Sequence, residues 1–211
     1  MNTILVVGSV ALDTVKTSSG ASHDALGGSA TFFSLAARHF ASVQLVGVVG
    51  SDFPREYRVL LSERGIDLSG LKIAKGKTFR WSGRYGKDAS VAKTLATHLN
   101  VFKDFSPKLD EAHRKAPVVF LANIDPALQA EVLAQMKSPA LVAADTMNFW
   151  IKSKPQAIKD LLAKVDIFFC NEDEAEELAE RPNPLQAAEV IASWGPSVVV
   201  VKKGEHGALM K

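Results

Sequence analysis

Two segments near the N-terminus contain residue types that bind hydroxylated or phosphorylated ligands. Gly27 and Gly28 open a segment with helical spacing. Glycines let a backbone approach a ligand closely, and a helix start offers unpaired N–H groups to hydroxyl or phosphate oxygens. Asp13 follows the first apolar run of the chain, and its carboxylate can accept two hydrogen bonds from neighbouring hydroxyls. Taken alone, each feature is weak evidence for a site.

Other polar residues stand directly after the later apolar runs of the chain. They are Gly50, Ser51, Asp52, Asn123, Asp125, Asp145, Asn148, Asn171, Glu174, Lys202, Lys203 and Gly204, and Gly8 and Ser9 follow the first run in the same way. In a parallel sheet, ligands bind beyond the carboxyl ends of the strands, where loops and helix starts converge. We therefore expect a polar cluster at one edge of a sheet, although any one of these residues is more often an ordinary loop residue.

Several familiar catalytic motifs are missing from the sequence. In the segment 70–78, five residues separate Gly70 from Gly76, where a phosphate-binding P-loop needs four. There is no Gly-x-Ser-x-Gly nucleophile elbow, and the first strand ends without the glycine spacing of a dinucleotide site. Cys170 ends an apolar run and is interpreted as a small core residue. The histidines lack metal-ligand spacing and are expected at the surface or in a lid; they are His23, His39, His98, His113 and His206.

The elements that must position these residues follow from an alternation of apolar runs and helical spacing. The apolar runs cover residues 4–7, 43–49, 118–122, 140–144, 167–170 and 198–201. Helical spacing recurs between them, over residues 32–40, 57–61, 128–133, 158–162 and 185–191. Continuous apolar runs are typical of strands buried on both faces. The pattern predicts an α/β fold with three α/β/α layers around a mainly parallel central sheet.

The stretch 75–105 breaks this rhythm. Residues 79–85 alternate between aromatic and polar types, which predicts a half-exposed strand, and residues 91–101 predict a return strand in the same way. Gly86-Lys87-Asp88 supplies the turn. We therefore expect a β-hairpin outside the main sheet. Its apolar stripe either covers a cleft or meets a partner, or it packs on its own domain; the two alternatives have equal weight.

The composition of the 211-residue chain is that of an ordinary globular protein, with 47% hydrophobic residues. Its 25 Lys and Arg against 23 Asp and Glu leave a net charge of +2, so neither nucleic acid nor a membrane surface is an expected partner. One cysteine excludes an internal disulfide framework, and no run is long enough for a transmembrane helix. Because the start lacks the features of a secretory signal, we expect a cytoplasmic protein.

A series of short motifs occurs in an order that resembles one known family. The motifs are Gly8-Ser9-Val10-Ala11-Leu12-Asp13, Gly27-Gly28-Ser29-Ala30, Val46-Gly47-Val48-Val49-Gly50-Ser51-Asp52, Gly65-Ile66-Asp67, Asp145-Thr146-Met147-Asn148, Asn171-Glu172-Asp173-Glu174 and Val200-Val201-Lys202-Lys203-Gly204-Glu205-His206-Gly207. They resemble landmarks of the ribokinase-like carbohydrate kinases of the phosphofructokinase-B type, over nearly the whole chain. The resemblance implies one domain over residues 1–211, in which residues 14–26 and 75–106 form a β-lid.

The resemblance implies an ATP- and Mg²⁺-dependent kinase that phosphorylates a hydroxyl of a sugar or sugar-like substrate. It places Asp13, Gly27, Gly28 and Asn123 at the substrate, and Asn171, Lys202, Gly204 and Gly207 at the nucleotide. Glu174 matches the glutamate that acts on the magnesium and phosphate network through water. The alternative for Glu174 is an acidic helix start favoured by the helix dipole alone. In the family the lid covers the acceptor, and in some members it forms a homodimer contact.

Two departures from the family pattern bear on activity. The segment Thr31-Phe32-Phe33 stands where an asparagine commonly follows the glycine pair, so a polar substrate contact is lost. No glycine-rich segment ending in an aspartate follows Gly207. No residue is therefore assigned as catalytic base, and we expect a chain that is C-terminally incomplete and inactive on its own.

Two alternative functions stay open. The first is a nucleoside kinase of the same family, because four aromatic residues could stack on a base: Phe32, Phe33, Phe149 and Trp150. The second is a non-catalytic module that binds a sugar or a nucleotide. Ligand affinity without turnover would distinguish this module from a kinase.

Overall fold

The computed structural model describes residues 3–86 and 92–211, and it divides into two compact units, Met1–His113 and Arg114–Lys211. Each unit has its own strands and helices, which are given in turn below. The single domain predicted over residues 1–211 remains a prediction. Within the described ranges, no helix combines the length and the apolar character needed to cross a bilayer.

The first unit contains two sheets. Its strands are β1 (Thr3–Val7), β2 (Ala11–Thr17), β3 (Gly20–Gly27), β4 (Ser42–Gly50), β5 (Ile66–Ala74), β6 (Arg80–Tyr85) and β7 (Ala92–His98). Its helices are α1 (Ser29–Ala37), α2 (Arg55–Glu63) and α3 (Glu111–Arg114), whose last residue begins the second unit, and a 3-10 helix covers Asn100–Asp104. Strands β1, β4 and β5 are parallel and adjacent in that order.

Burial explains why β1 and β4 are visible in the sequence and β5 is not. Leu5, Val6 and Leu45 are fully buried, so β1 and β4 contain continuous apolar runs. Strand β5 lies at the edge of its sheet, and buried and exposed residues are mixed along it, with Ile73 54% exposed. The sequence pattern therefore contains no apolar run at β5 and does not predict this strand.

The second sheet of the first unit has the strand order β3-β2-β6-β7, and we call these four strands the lid sheet. Strand β2 pairs antiparallel with β3 and parallel with β6, and β6 pairs antiparallel with β7. This arrangement confirms a β-hairpin outside the main sheet. Strands β2 and β3 begin at Ala11 and end at Gly27, slightly beyond the predicted segment 14–26. That the lid sheet covers a ligand remains a prediction.

The predicted return strand is too long. Strand β7 ends at His98, whereas the alternating pattern predicts a strand through residue 101. Asn100 has a φ of 51°, in the left-handed region that Asn tolerates, and its side-chain amide donates a 2.8 Å hydrogen bond to the carbonyl of Thr78. These features end the strand and start the 3-10 helix. The predicted turn residues Lys87 and Asp88, and Val91, lie outside the described residues.

His113 is not at the surface or in the lid, as the sequence predicts, but is buried in the first unit. Its Nδ1 lies 3.0 Å from an Asp110 carboxylate oxygen, and its Nε2 lies 3.4 Å from the hydroxyl of Ser69. The prediction is wrong because an imidazole that finds two polar partners can be buried at little cost.

The second unit contains strands β8 (Val118–Leu121), β9 (Leu141–Asp145), β10 (Ile167–Asn171), β11 (Val198–Lys202) and β12 (Ala208–Met210). Its helices are α4 (Pro126–Gln135), α5 (Asn148–Ser153), α6 (Pro155–Leu162), α7 (Glu172–Ala179) and α8 (Pro184–Ala192), and a 3-10 helix covers Gly204–His206. Strands β8 to β11 are parallel and adjacent in chain order, and β12 pairs antiparallel with β11. In both units parallel strands alternate with helices, which confirms the predicted α/β class.

Capping residues and prolines determine where α4 and α8 begin. The Asp125 carboxylate accepts a 3.0 Å hydrogen bond from the backbone N–H of Ala127, and Asn183 caps α8 in the same way. In both helices, proline occupies the first helical position, where its missing N–H costs nothing. Cys170, at the end of β10, is fully buried, as predicted.

Candidate active site

Asp13 and Gly27 of the first unit face each other across the β2–β3 ladder. Ala11 pairs with Gly27 and Asp13 with Ala25, so the positions of Asp13 and Gly27 lie on the same face of the sheet. A Cβ built on Gly27 would lie 2.0 Å from Oδ2 of Asp13. A side chain at position 27 would therefore have to displace the Asp13 carboxylate, which occupies that space.

Gly28 begins α1 with a φ of 98°, a conformation that residues other than glycine rarely adopt. A Cβ at Gly28 would lie 2.3 Å from the carbonyl oxygen of Ser9. The hydroxyl of Ser9 accepts a 3.1 Å hydrogen bond from the backbone N–H of Ser29, and its carbonyl accepts one of 3.2 Å from Ala30. Ser9 thus caps the helix from outside. In the sequence, Ser9 is one of the residues expected at the strand end after the first apolar run, without an assigned role.

The start of α1 is consequently more closed than the sequence suggests. The N–H of Gly28 donates to the Asp13 carboxylate, and the N–H groups of Ser29 and Ala30 are bound by Ser9. These donors are not free for a ligand. In this region, the carboxylate of Asp13 is the group that retains an oxygen able to accept a hydrogen bond.

Asp13 holds an oxygen ready for a donor. Its Oδ1 is shielded from solvent and has no hydrogen-bond partner among the described residues. Burial raises the pKa of Asp13 to about 6, and the hydrogen bond from Gly28 opposes part of that rise. A buried acceptor without a partner is costly, and a ligand hydroxyl would satisfy it.

Arg80 links the lid sheet to the residues that follow β4. The sequence does not predict Arg80 as a site residue. The Arg80 guanidinium contacts the Asp24 carboxylate at 3.1 Å and the Asp52 carboxylate at 2.7 Å. The buried side chain of Thr78 donates to Asp52 and accepts from the backbone N–H of Gly50. Although partial burial raises the pKa of Asp52, the hydrogen bonds from Thr78 and Arg80 lower it below its usual value. This network stabilises β6, the strand that pairs with β2, which contains Asp13.

A second polar cluster lies at the carboxyl ends of the strands of the second unit. Strand pairing sets Asn171 opposite Lys202 and Phe169 opposite Asp145, so the ends of β9, β10 and β11 are neighbours. The backbone N–H of Asn123, which follows β8, donates to the Asp145 carboxylate. Asn123, which was predicted to bind the substrate, therefore lies beside Asp145; its role stays a prediction. Asp145 was seen in the sequence only as a polar strand end.

Asp145 is the most perturbed carboxyl group of this cluster. Burial raises its pKa to about 7, while the charge of Lys202 lowers it and that of Glu174 raises it further. Its Oδ1 is shielded and has no partner among the described residues, and the same is true of Oδ1 of Asn123 and Oγ1 of Thr146. Three buried oxygens without partners indicate a site that receives donors or a cation.

Asn171 and Glu174 bind each other. The Asn171 side chain accepts a 2.8 Å hydrogen bond from the N–H of Glu174, and the Glu174 carboxylate accepts one of 2.8 Å from the N–H of Asn171. This reciprocal pair is a capping box at the start of α7. Glu174 is 6% exposed, and burial raises its pKa. The motif that implies a nucleotide and magnesium role thus has a structural role in this geometry as well.

The turn after β11 is exposed and depends on two glycines. Gly204 and Gly207 have φ values of 54° and 86°, and the carbonyl of Gly207 accepts a 2.8 Å hydrogen bond from the N–H of Lys203. The Lys203 ammonium pairs with Glu172, whereas Lys202 is exposed and acts on Asp145 and Glu174 through its charge. The positive charge of this turn lies next to the carboxylates of Asp145 and Glu174. Such an arrangement is suited to an anionic ligand that binds together with a metal cation.

The residues of the second unit fit magnesium as part of a nucleotide complex. No group of three or more His, Cys, Asp or Glu side chains is arranged to hold a metal ion within the described part of the chain. Mg²⁺ is usually held by one or two carboxylates together with substrate phosphates, and it prefers oxygen ligands. Asp145 and Glu174 provide two carboxylates that influence each other, and Asp145 has an oxygen without a partner. This donor set matches that requirement and does not match a closed site made of protein ligands alone.

The family of the chain follows from comparison with known proteins. Residues 1–211 match the model of the pfkB family of carbohydrate kinases, and the chain belongs to this family. This confirms the resemblance inferred from the motif order. A cytidine kinase of Thermococcus kodakarensis is 29% identical over 211 residues, which are 98% of this chain and 75% of that protein.

Two solved structures share the fold. A nucleoside kinase of Burkholderia thailandensis in complex with inosine is 15% identical, with a TM-score of 0.80 over 98% of this chain and 72% of that one. A ribokinase of Cryptococcus neoformans var. grubii serotype A in complex with ADP is 18% identical, with a TM-score of 0.79 over 100% of this chain and 76% of that one. These likenesses confirm the predicted ribokinase-like fold, a mainly parallel sheet with flanking helices.

Proposed function

We propose that this protein is an ATP- and magnesium-dependent kinase that phosphorylates a hydroxyl group of a sugar or sugar-like substrate. The observation that carries the proposal is the Asp13 carboxylate, fixed against Gly27 with one buried oxygen that has no partner among the described residues. Such an oxygen orients a ligand hydroxyl. Family membership supports the transfer of a phosphoryl group to that hydroxyl.

The roles of the other residues follow the division into two units. In the first unit, Gly27 and Gly28 make room for Asp13 and for the packing of Ser9, so they keep the acceptor-binding carboxylate in place. In the second unit, the nucleotide is assigned to Asn171, Lys202, Gly204 and Gly207, and Asn123 remains a predicted substrate residue. Asp145 and Glu174 would hold Mg²⁺, which would neutralise charge on the phosphates when bound.

A nucleoside acceptor is the second candidate, and one observation favours it. Phe32, in the first turn of α1, is 59% exposed, so its ring is open to a ligand. The likeness to a cytidine kinase and to a nucleoside kinase that binds inosine supports the same reading. Phe149 and Trp150 are weaker candidates because their rings pack on each other, with centroids 4.7 Å apart.

Three further parts of the proposal come from the sequence. The protein is cytoplasmic, and the lid sheet forms a homodimer contact. The 211 residues alone bind ligands but transfer phosphate at or near background rate, because Asp13, Asp145 and Glu174 are all assigned to binding and no residue is assigned as the base. Loss of a positioned base typically lowers a rate by ~100- to 10,000-fold.

The test is an ADP-release assay with a panel of sugars and nucleosides and excess Mg²⁺, on the 211-residue chain and on the product of any longer reading frame. Acceptor-dependent ADP release by the longer product supports the kinase. Saturable acceptor binding without turnover by both proteins would replace it with the non-catalytic binding module. Rapid turnover by the 211-residue chain would overturn the proposed lack of a base.

The variant Asp13→Ala tests whether the Asp13 carboxylate binds the acceptor hydroxyl. The variant of the 211-residue chain should bind the acceptor about 5- to 150-fold less well, because a buried hydroxyl without its partner costs ~1 to 3 kcal/mol. In any form that is active in the ADP-release assay, phosphorylation of the acceptor should fall by a similar factor. Its affinity for ATP should not change. Asp160→Ala, which removes an exposed carboxylate on α6, is the matched control. Equal acceptor kinetics in the two variants would refute the role of Asp13.

A further inference from the structure

Trp81 of β6 lies beside Asp13 on the lid sheet. In the parallel ladder between β2 and β6, Asp13 is paired with Trp81. Paired residues of neighbouring strands direct their side chains to the same face of a sheet, and the strands are about 5 Å apart. The carboxylate and the indole therefore share one face of the lid sheet.

The indole is held in a fixed position on that face. Its Nε1–H donates a 3.2 Å hydrogen bond to the hydroxyl of Thr94 on β7. A Cβ on Gly83 would lie 2.0 Å from the Cη2 atom of the indole, so the ring occupies the space above Gly83. Glycine inside a strand weakens the strand, and it often marks a place where another group must approach closely. The lid sheet lacks a side chain at position 83, and the indole of Trp81 fills that space.

The direction of the indole separates it from Asp13. The strand order places β6 between β2 and β7, and the hydrogen bond to Thr94 draws the ring toward β7, away from Asp13. The flat apolar surface thus begins about one strand spacing, ~5 Å, from the strand of the carboxylate. Trp81 is also only partly buried, which leaves part of the residue accessible to a ligand.

We propose that Trp81 determines acceptor specificity: its indole stacks on the base of a nucleoside whose sugar hydroxyl is held by Asp13. This inference rests on the proposed acceptor role of Asp13. Aromatic rings stack well on flat heterocycles, and a base lies at one end of a nucleoside while its sugar hydroxyls lie at the other. A monosaccharide held by the same carboxylate is too short to cover the indole, so it should gain little from Trp81.

The test measures acceptor binding by calorimetry without ATP, on the 211-residue chain, for a set of nucleosides and a set of monosaccharides. Trp81→Ala should bind nucleosides about 5- to 100-fold more weakly, with unchanged affinity for ATP and for any monosaccharide that binds. Trp81→Phe should retain part of the nucleoside affinity. Gly83→Ala should resemble Trp81→Ala, because the new Cβ displaces the ring. Trp194→Phe, in the second unit, is the matched control and should bind like the wild type.

Fluorescence gives a readout that a merely structural role would not change. Nucleoside binding should quench tryptophan emission in the wild type and in Trp194→Phe, and this quenching should be absent from Trp81→Phe. The proposal is overturned if Trp81→Phe is still quenched, if Trp81→Ala weakens all acceptors equally, or if no nucleoside binds. If Trp81→Ala does not fold, the comparison of Trp81→Phe with Trp194→Phe decides.

The two proposals fail differently. Nucleoside binding that depends on Trp81 but is not followed by ADP release from any protein in the ADP-release assay would refute the kinase and support the stacking role. Nucleoside phosphorylation with unchanged kcat/KM in Trp81→Ala would support the kinase and refute the stacking role.

Discussion

The carboxylate of Asp13 occupies the position that a side chain at Gly27 would need, with Oδ2 only 2.0 Å from an ideal Cβ. The two residues are separated by the whole β2–β3 hairpin, and strand pairing brings them together. The first glycine of the pair therefore accommodates a protein carboxylate. Its contribution to ligand binding is indirect, through the position of Asp13.

Gly27→Ala should weaken acceptor binding by displacing Asp13 and should lower the free energy of unfolding by ~1 to 3 kcal/mol, the usual cost of overpacking. Calorimetry and urea denaturation measure the two effects. Gly47→Ala is the control, because its nearest neighbour would be 3.2 Å from the new Cβ. If both variants bind the acceptor equally well, Gly27 does not position Asp13.

The stability of the protein should depend on the ionisation of Asp13. Burial raises the pKa of this carboxyl from 3.8 to about 6. A raised folded-state pKa contributes stability that is fully present below the unfolded-state pKa and is lost as the pH rises through about 6. Wild type should therefore lose stability relative to Asp13→Asn between about pH 4 and about pH 8.

Urea denaturation of both proteins across that range measures the difference. Asp160→Asn, which changes an exposed carboxylate, is the control. A stability difference between wild type and Asp13→Asn that does not vary with pH would show that burial does not perturb Asp13.

A comparison of two helix-capping asparagines, Asn171 and Asn183, distinguishes a purely structural role of the Asn171–Glu174 pair from a role in nucleotide binding. Asn171→Ala and Asn183→Ala each remove a helix cap and should each lower the free energy of unfolding by ~1 kcal/mol. If Asn171 also serves the nucleotide, only Asn171→Ala should weaken ATP binding. Calorimetric titration with ATP and Mg²⁺ measures this, and equal ATP affinity in the two variants would leave Asn171 with the cap alone.

Arg80 should hold the lid sheet against the end of β4. Arg80→Met removes the contacts to Asp24 and Asp52, and the free energy of unfolding should fall by ~1 kcal/mol or less because the pairs are partly exposed. Amide hydrogen exchange in β2 and β6 should become faster. Arg84→Met, on the same strand with an exposed side chain, is the control. Unchanged exchange in Arg80→Met would show that the network does not fasten the lid sheet.

The order of the elements is predictable from the sequence wherever burial is continuous along the strand. Strands β1, β4 and β8 to β11 coincide with apolar runs, and the hairpin strand β6 coincides with its alternating pattern. The pattern fails at β5, where one edge of the strand is open, and after β7, where a left-handed Asn100 ends the strand. It also fails at His113, whose burial depends on Ser69 and Asp110.

The sequence by itself determined which residues stand at strand ends and that their order resembles the pfkB kinases, because apolar runs, helical spacing and motif order are local properties of a chain. The tertiary structure alone decided what those residues contact. It closed the start of α1 with Ser9, set Asp13 against Gly27, and placed Trp81 on the face that carries Asp13. Each of these outcomes depends on the register between strands that are distant in sequence, and a shift of one residue would turn the side chains to the opposite face.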